Sequence, residues 1–301
     1  MNPTAQRLPL LAFMTLLMIA LMMGANHVAA RFAFNDGVSV TTAVTARSGV
    51  TALVLALILW TQGVSWRVAP RVRLALLGIG ALIAVQSICL YSSVARLPVA
   101  LALLVFNTYP LSTAIWARVV YRQPTPKPVL WAMPVLLSGL ALALDVMGAT
   151  SGLGAQAHWS EIGAGVAFGL GASLTFGLAL VITQHETQGL DGRLRTFTTM
   201  AQVGVLAGLV ALTSGGLQLP QSSTGWWGLV GLTALYGTAF TVMFTLLPKL
   251  GVVGHSAIMN VEPVFALVLA WLFLHQSIAP MQLVGALVVV SAVVWLGTRK
   301  Q

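Results

Sequence analysis

GVVGHSAIMNVEPVFALVLAWLFLH, residues 251–275, is the stretch whose reading decides the fold. It is long enough to cross a bilayer, since about 20 apolar residues at a rise of ~1.5 Å match a hydrocarbon core about 30 Å thick. Its middle nevertheless carries Asn260 and Glu262 directly before Pro263. Pro263 has no backbone N–H, so the carbonyl of Met259 is predicted to lose its helical partner. An acidic side chain at mid-membrane costs roughly 2.5–3.5 kcal/mol on insertion scales, so Glu262 is expected to face protein or a water-filled cavity. A free carbonyl, an amide and a carboxylate thus converge on one turn, as they would at a site.

The same pattern occurs once more, earlier in the chain. RLPVALALLVFNTYPLSTAIWA, from Arg96, aligns without a gap to KLGVVGHSAIMNVEPVFALVLA, from Lys249, at an offset of 153 residues. Asn107 falls on Asn260 and Pro110 on Pro263, while Tyr109 stands where the carboxylate of Glu262 is. The register extends outward. Gly78, Ala81 and Leu82 fall on Gly231, Ala234 and Leu235, and Ser138 on Ser291; at an offset of 155, Ala46, Gly49 and Val50 match Ala201, Gly204 and Val205. The offset is close to half of 301, so the chain reads as a duplication with halves 1–150 and 151–301.

Hydrophobic residues make up 58% and charged residues 7%, against about 25% charged in an ordinary soluble domain. Such a chain cannot cover a globule with polar surface, and lipid is its expected surrounding. The net charge of +9 sits between apolar spans, where it orients a membrane protein and gives no reason to expect nucleic acid. The one cysteine, Cys89, excludes an internal disulfide and a cysteine metal cluster. The first apolar run begins near Leu8 with no small-residue cleavage site and is expected to be retained.

Ten spans are predicted, roughly 8–30, 38–60, 72–94, 97–118, 128–148, 162–184, 195–214, 225–247, 250–275 and 279–298, with a break over 149–161. With the amino terminus inside, the inner ends hold twelve basic residues: Arg7, Arg67, Arg71, Arg73, Arg118, Arg122, Lys127, Arg193, Arg195, Lys249, Arg299 and Lys300. The outer ends hold two, Arg31 and Arg96, which places both termini in the cytoplasm. Five spans per half, an odd number, invert the second half. Inverted repeats set a binding site near the midplane beside interrupted helices. The predicted class is an all-α integral membrane protein, ten helices in two inverted five-helix repeats around a central cavity.

Several polar residues lie where such a cavity would be. Glu262 reads as a substrate-amine or proton partner, or as a structural carboxylate that caps freed backbone groups or pairs with Arg47. Arg47, seven residues after Val40, either attracts a carboxylate or snorkels to the outer surface. Asn107 and Asn260 line the cavity or satisfy the broken helices, and Pro110 and Pro263 are hinges or static kinks. Asn26 and His27 interrupt the first span after Gly24, His27 as a packing residue or a proton relay. Gly165, Gly169, Ser173 and Gly177 form one smooth helical stripe open to close packing. Tyr91, Tyr109, Trp116, Phe176, Tyr236 and Phe240 could shape an aromatic pocket. Gln86, Ser87, Tyr91, Ser92, Tyr236, Thr238 and Thr241 flank it or serve only as interhelical hydrogen bonds. The predicted cavity set is Asn26, His27, Arg47, Gln86, Tyr91, Asn107, Tyr109, Ser173, Phe176, Tyr236, Thr238, Asn260 and Glu262, with hinges at Pro110 and Pro263. No metal and no cofactor is predicted. Trp60, Trp66, Trp226 and Trp227 read as interfacial anchors.

The sequence contains no HExxH, GxSxG, SxxK or phosphate-cradling glycine loop, so neither an enzyme nor an ATP-powered pump is expected. N-V-E-P-V-F-A at 260–266 resembles the ninth-helix signature of the EamA-type carriers of the drug/metabolite transporter superfamily. F-N-T-Y-P-L at 106–111 is similar to its fourth-helix partner, and V-G-A-L at 284–287 resembles the tenth. Family members often end the fourth and ninth helices with Gly-Glu, where this chain has Arg122-Gln123 and His275-Gln276. The resemblance implies a basket-shaped exporter of a bacterial inner membrane that moves amino acids, aromatic or of broad range, or related metabolites. Export of lipophilic or cationic drugs is the alternative, and a channel is the alternative of another class. The expected partners are a small-molecule substrate and the lipid bilayer. Proton coupling through Glu262 and uncoupled carriage both fit, as do a monomer and a homodimer.

Overall fold

The computed structural model describes residues 10–124, 127–145, 147, 155–245, 261–276 and 279–298, and their regular structure is helical throughout. Asn260, the first half of the predicted ninth span, and Arg7, Lys249, His255, Arg299 and Lys300 lie outside the described residues. The helices are α1 (Leu10–Asn35), α2 (Val40–Thr61), α3 (Pro70–Arg96), α4 (Val99–Phe106), α5 (Tyr109–Tyr121) and α6 (Lys127–Ala143), then α7 (Ala155–Glu186), α8 (Gly192–Thr213), α9 (Ser223–Thr245), α10 (Glu262–Leu274) and α11 (Pro280–Thr298). Among the described residues, seven stretches are long and apolar enough to cross a membrane, one of them formed by α4 and α5 together, and the remaining apolar helices are shorter. Leu53, Leu74, Trp131 and Leu212 are among many large apolar side chains left on the surface, as lipid contact requires.

The predicted fourth span is two helices, interrupted at Asn107 and Thr108. Pro110 sits in the first turn of α5, where a missing N–H costs a helix nothing. The polar groups around the interruption satisfy one another locally. Asn107 Nδ2 donates to the Leu103 carbonyl at 2.8 Å and Thr108 Oγ1 to the Val105 carbonyl at 2.8 Å. α10 repeats α5 in detail. Both helices have 13 residues and carry proline in the first turn. Thr108 and Val261 precede them with nearly equal torsions, φ −73°, ψ −3° and φ −81°, ψ −2°.

α7 starts at Ala155, so the predicted break over 149–161 is shorter than expected. No Gly or Pro separates Ala155 from Glu161, and buried His158 holds this end by its Nε2 contact, 2.9 Å, with the Leu144 carbonyl. The small-residue stripe of α7 packs first on the end of α3 and then on the interrupted pair. Gly165 faces Leu97, Gly169 faces Val105, and Gly177 lies against the backbone of Thr113. A Cβ at Gly177 would stand 2.7 Å from Thr113 N, so only glycine permits this approach. On the other side, Gly24 of α1 admits α10: a Cβ there would be 3.0 Å from Ala266 N.

The most extensive packing joins α3 to α7, α1 to α9, α2 to α8 and α6 to α11. Within the α2–α8 seam, a Cβ on Gly204 would stand 3.3 Å from Gly49 N. Arg31 and Arg96, the two basic residues predicted at outer ends, both cap α3. Arg31 Nη1 donates to the carbonyls of Val94 and Leu97, at 2.7 and 3.3 Å, and Arg96 Nη1 to that of Ser92 at 2.9 Å. A cation at a helix C-terminus is favoured by its unpaired carbonyls, which gives both residues a local reason to be there.

Candidate functional site

Five helices bring charged and polar side chains together in the interior. α2 contributes Arg47, 3% exposed, whose guanidinium carbon lies 4.5 Å from the Tyr91 ring centroid and 3.9 Å from that of Tyr236. Arg47 Nη2 donates to Ser87 Oγ at 2.8 Å, and Ser87 donates in turn to Gln86 Oε1 at 3.3 Å. The snorkelling alternative for Arg47 therefore does not hold; the side chain runs inward. Two aromatic faces return up to about 2 kcal/mol each to a desolvated cation. The effective penalty of taking an ion out of water is several kcal/mol. Among the described residues, no carboxylate oxygen lies within 4.0 Å of this guanidinium.

Tyr91 leads from Arg47 to the second charged group. Its hydroxyl donates to Asn26 Oδ1 at 2.7 Å, and its ring lies 5.5 Å from that of His27. His27 Nε2 stands 3.2 Å from Glu262 Oε1. The contact is a hydrogen bond when the imidazole is neutral and an ion pair when it is protonated. Among the described residues His27 Nδ1 is buried without a partner, so in the neutral ring Nε2 carries the hydrogen donated to the carboxylate. Gly24 explains the pairing locally, because it lets α1 press on the first turn of α10 three residues before His27. Glu262 retains 20% side-chain exposure and lies within electrostatic reach of both Tyr91 and Tyr109. Its partner is His27, and the sequence-level alternative of an Arg47–Glu262 pair is corrected accordingly.

A second group surrounds the interruption between α4 and α5. Ser173 Oγ accepts from Thr108 Oγ1 at 2.9 Å and shares a 2.8 Å hydrogen bond with Ser112 Oγ. Phe106, Tyr109 and Phe176 form a half-buried trio with ring centroids 5.1–5.6 Å apart. Tyr236 also stacks on Phe240 at 4.4 Å. Asn107 is buried but turned back on its own helix. Thr238 is exposed and does not join the others. Two residues apart, Tyr236 and Thr238 cannot face the same side of a helix. Phe106, Thr108 and Ser112 belong to the site without having been singled out as site residues. Their signal was the motif at 106–111 and its hydroxyls beside the stripe of α7.

A cleft of about 460 Å³ lies elsewhere, at the α2–α3 connection, beside Trp66, Arg67, Arg73 and Gln202; no predicted cavity residue lines it.

An apolar helical bundle that holds an arginine, a carboxylate and a histidine inside, next to an interrupted helix, is built as a membrane transporter. The model of the EamA-like transporter family matches residues 10–144 and again residues 163–298, and the chain belongs to that family, in the drug/metabolite transporter superfamily. A solved structure titled "Crystal structure of protein" is similar over 94% of this chain and 94% of its own, with 16% sequence identity and a TM-score of 0.60, which is a likeness of fold. No curated protein matches the chain.

Proposed function

We propose that this chain is a secondary transporter that exports amino acids, aromatic or of broad range, or related small metabolites, by alternating access. In this reading ten spans form two inverted five-helix repeats, 1–150 and 151–301, in a bacterial inner membrane with both termini cytoplasmic. The observation that carries it is the interior cluster Arg47–Tyr91–His27–Glu262. It offers a cation and a carboxylate on either side of one tyrosine, in the region where α1, α2, α3, α9 and α10 meet.

Duplication is supported by the two successive matches of one family model and by the pairing of helices. Exchanging the halves turns the α3–α7 contact into the α9–α1 contact, α5–α7 into α10–α1 and α3–α8 into α9–α2, while α2–α8 and α6–α11 map onto themselves. Gly49 and Gly204 match at an offset of 155 and touch each other, as residues beside a two-fold axis would. The interruption before Pro110 and the start of α10 at Pro263 are the hinges in this reading. Rocking one half over the other there would open the cluster to each side in turn.

Reconstitution in proteoliposomes tests the reading. Labelled phenylalanine, leucine and other amino acids should show saturable counterflow, driven by unlabelled substrate on the far side. Flux that never saturates and shows no counterflow would mark a channel. Absence of flux for every amino acid, with flux of lipophilic cations instead, would move the protein to drug export.

A further inference from the structure

Arg47 has more to bind than the protein gives it. A guanidinium presents five N–H donors in one plane and has no acceptor of its own. Nη2 is used on Ser87, and buried Nε has no partner among the described residues. Tyr91 attracts the charge through its ring, and Tyr236 through its ring and one side-chain hydrogen bond, which still leaves Nε without an acceptor among the described residues. A carboxylate is what fits such a fork, since it accepts two parallel hydrogen bonds and neutralises the charge. No carboxylate of the described residues comes within 4.0 Å, and Glu262 is engaged with His27.

We propose that Arg47 is the receptor for a carboxylate of the transported molecule, so that this carrier selects small organic acids and zwitterions against amines and lipophilic cations. The inference rests on the transporter reading and narrows it. The acceptor for the other end of a zwitterion lies on the far side of Tyr91, where Glu262 keeps part of its surface accessible. The half-buried rings of Phe106, Tyr109 and Phe176 provide an apolar wall for a side chain near that same carboxylate. Ser87 and Gln86 behind Arg47 fix the guanidinium, which limits the approach of a ligand to one orientation.

The test is counterflow in proteoliposomes with matched pairs: phenylalanine against phenethylamine and leucine against isoamylamine, each pair differing by the carboxylate. Wild type should exchange the acids at least ten times faster than the amines. Arg47→Gln should erase that preference, and Arg47→Lys should keep part of it through its charge. A structural cation would leave the preference intact in any variant that folds. Should Arg47→Gln not fold, the wild-type protein decides alone, through inhibition of leucine counterflow by the free acid isocaproate but not by isoamylamine. Equal exchange of acids and amines overturns the assignment while leaving the carrier intact. Equal exchange that also depends on chloride, with gluconate as the control, assigns Arg47 to an inorganic anion and overturns it too. Failure of every probe to exchange overturns the carrier reading and this inference with it.

Discussion

Arg122 and His275, 153 residues apart, end α5 and α10 in the same left-handed conformation, with φ 54° and ψ 24° at the first and φ 53° and ψ 28° at the second. In each case two successive N–H groups close on one alanine carbonyl, Ala117 for Arg122 and Gln123, Ala270 for His275 and Gln276. This is a helix C-terminus shaped for glycine and occupied by larger residues. Both side chains are exposed. The left-handed region costs a non-glycine residue roughly 1–2 kcal/mol. Arg122→Gly and His275→Gly are therefore expected to stabilise the protein by about 1 kcal/mol each, offset in part by the greater freedom of glycine in the unfolded chain. Thermal unfolding in detergent should show a higher Tm for each variant and a further gain for the pair. A lower Tm would mean that the arginine or imidazole makes contacts worth more than the strain.

Close approach of α7 to α5 gives a second prediction. A Cβ at Gly177 would stand 2.7 Å from Thr113 N and 2.8 Å from Ser112 Cβ, with backbone rather than a flexible side-chain tip in the way. Gly177→Ala should lower stability by roughly 1–3 kcal/mol, the usual cost of overpacking. Gly163, on the same helix, has only Trp159 Cε3 at 3.8 Å before it, so Gly163→Ala should be neutral or slightly stabilising through helix propensity. A shared Tm shift for the two variants would show that the difference in space does not matter.

Much of this architecture is legible in the sequence, because a gapless offset fixes the ends of two helices as well as their prolines. The helix that begins at Tyr109 and the one that begins at Glu262 start and stop in the same register. The side-chain partners are less legible. Glu262 had to find a polar neighbour, yet nothing in spacing shows that Gly24 brings α1, and so His27, against it rather than Arg47. The inward course of Arg47 depends on Tyr236 and Tyr91, which lie on two other helices. Thr238 is different, since helical geometry already separates it from Tyr236. The early start of α7 is hidden in the sequence because polarity over 156–161 imitates a loop while no residue there breaks a helix.

The turn after α1 carries a pH-dependent latch. Asp36 Oδ2 accepts from the backbone N–H groups of Gln221 and Ser222, each at 2.8 Å, just before α9. Hydrogen bonds from Ser222, then from Gln221, outweigh desolvation and hold its carboxyl below the usual range. A carboxylate lowered on folding contributes stability that is complete above its unfolded value, about 3.9, and is lost as the pH falls through the folded value below that. Between pH 5 and 9 the wild-type latch should stay closed. Limited proteolysis in the segment 214–222 should be slow there for wild type and faster for Asp36→Ala across the whole range. Wild type should approach the variant only below about pH 4. Equal cleavage of the two proteins at pH 7 would exclude a latch.

His27 Nε2 and Glu262 Oε1 meet at 3.2 Å where α1 packs on α10, and both side chains are largely withdrawn from solvent. A hydrogen bond to a charged group is worth about 1.5–3 kcal/mol, and removing one partner strands the other. Glu262→Leu and His27→Leu should each cost about 2 kcal/mol. The double variant should cost less than their sum by roughly 1–2 kcal/mol, because the second change removes a group already left alone. Detergent unfolding of the four proteins measures that difference, and additive losses would show that the two residues do not act on each other. Glu262→Gln separates stability from transport, since the amide keeps an acceptor for His27 Nε2 while giving up the charge. If Glu262 carries a proton or meets a substrate ammonium, Glu262→Gln should exchange substrate at least about tenfold more slowly at a nearly unchanged Tm, tenfold corresponding to ~1.4 kcal/mol. Wild-type exchange by Glu262→Gln from pH 6 to 8 would leave the carboxylate a purely structural tie between the two helices.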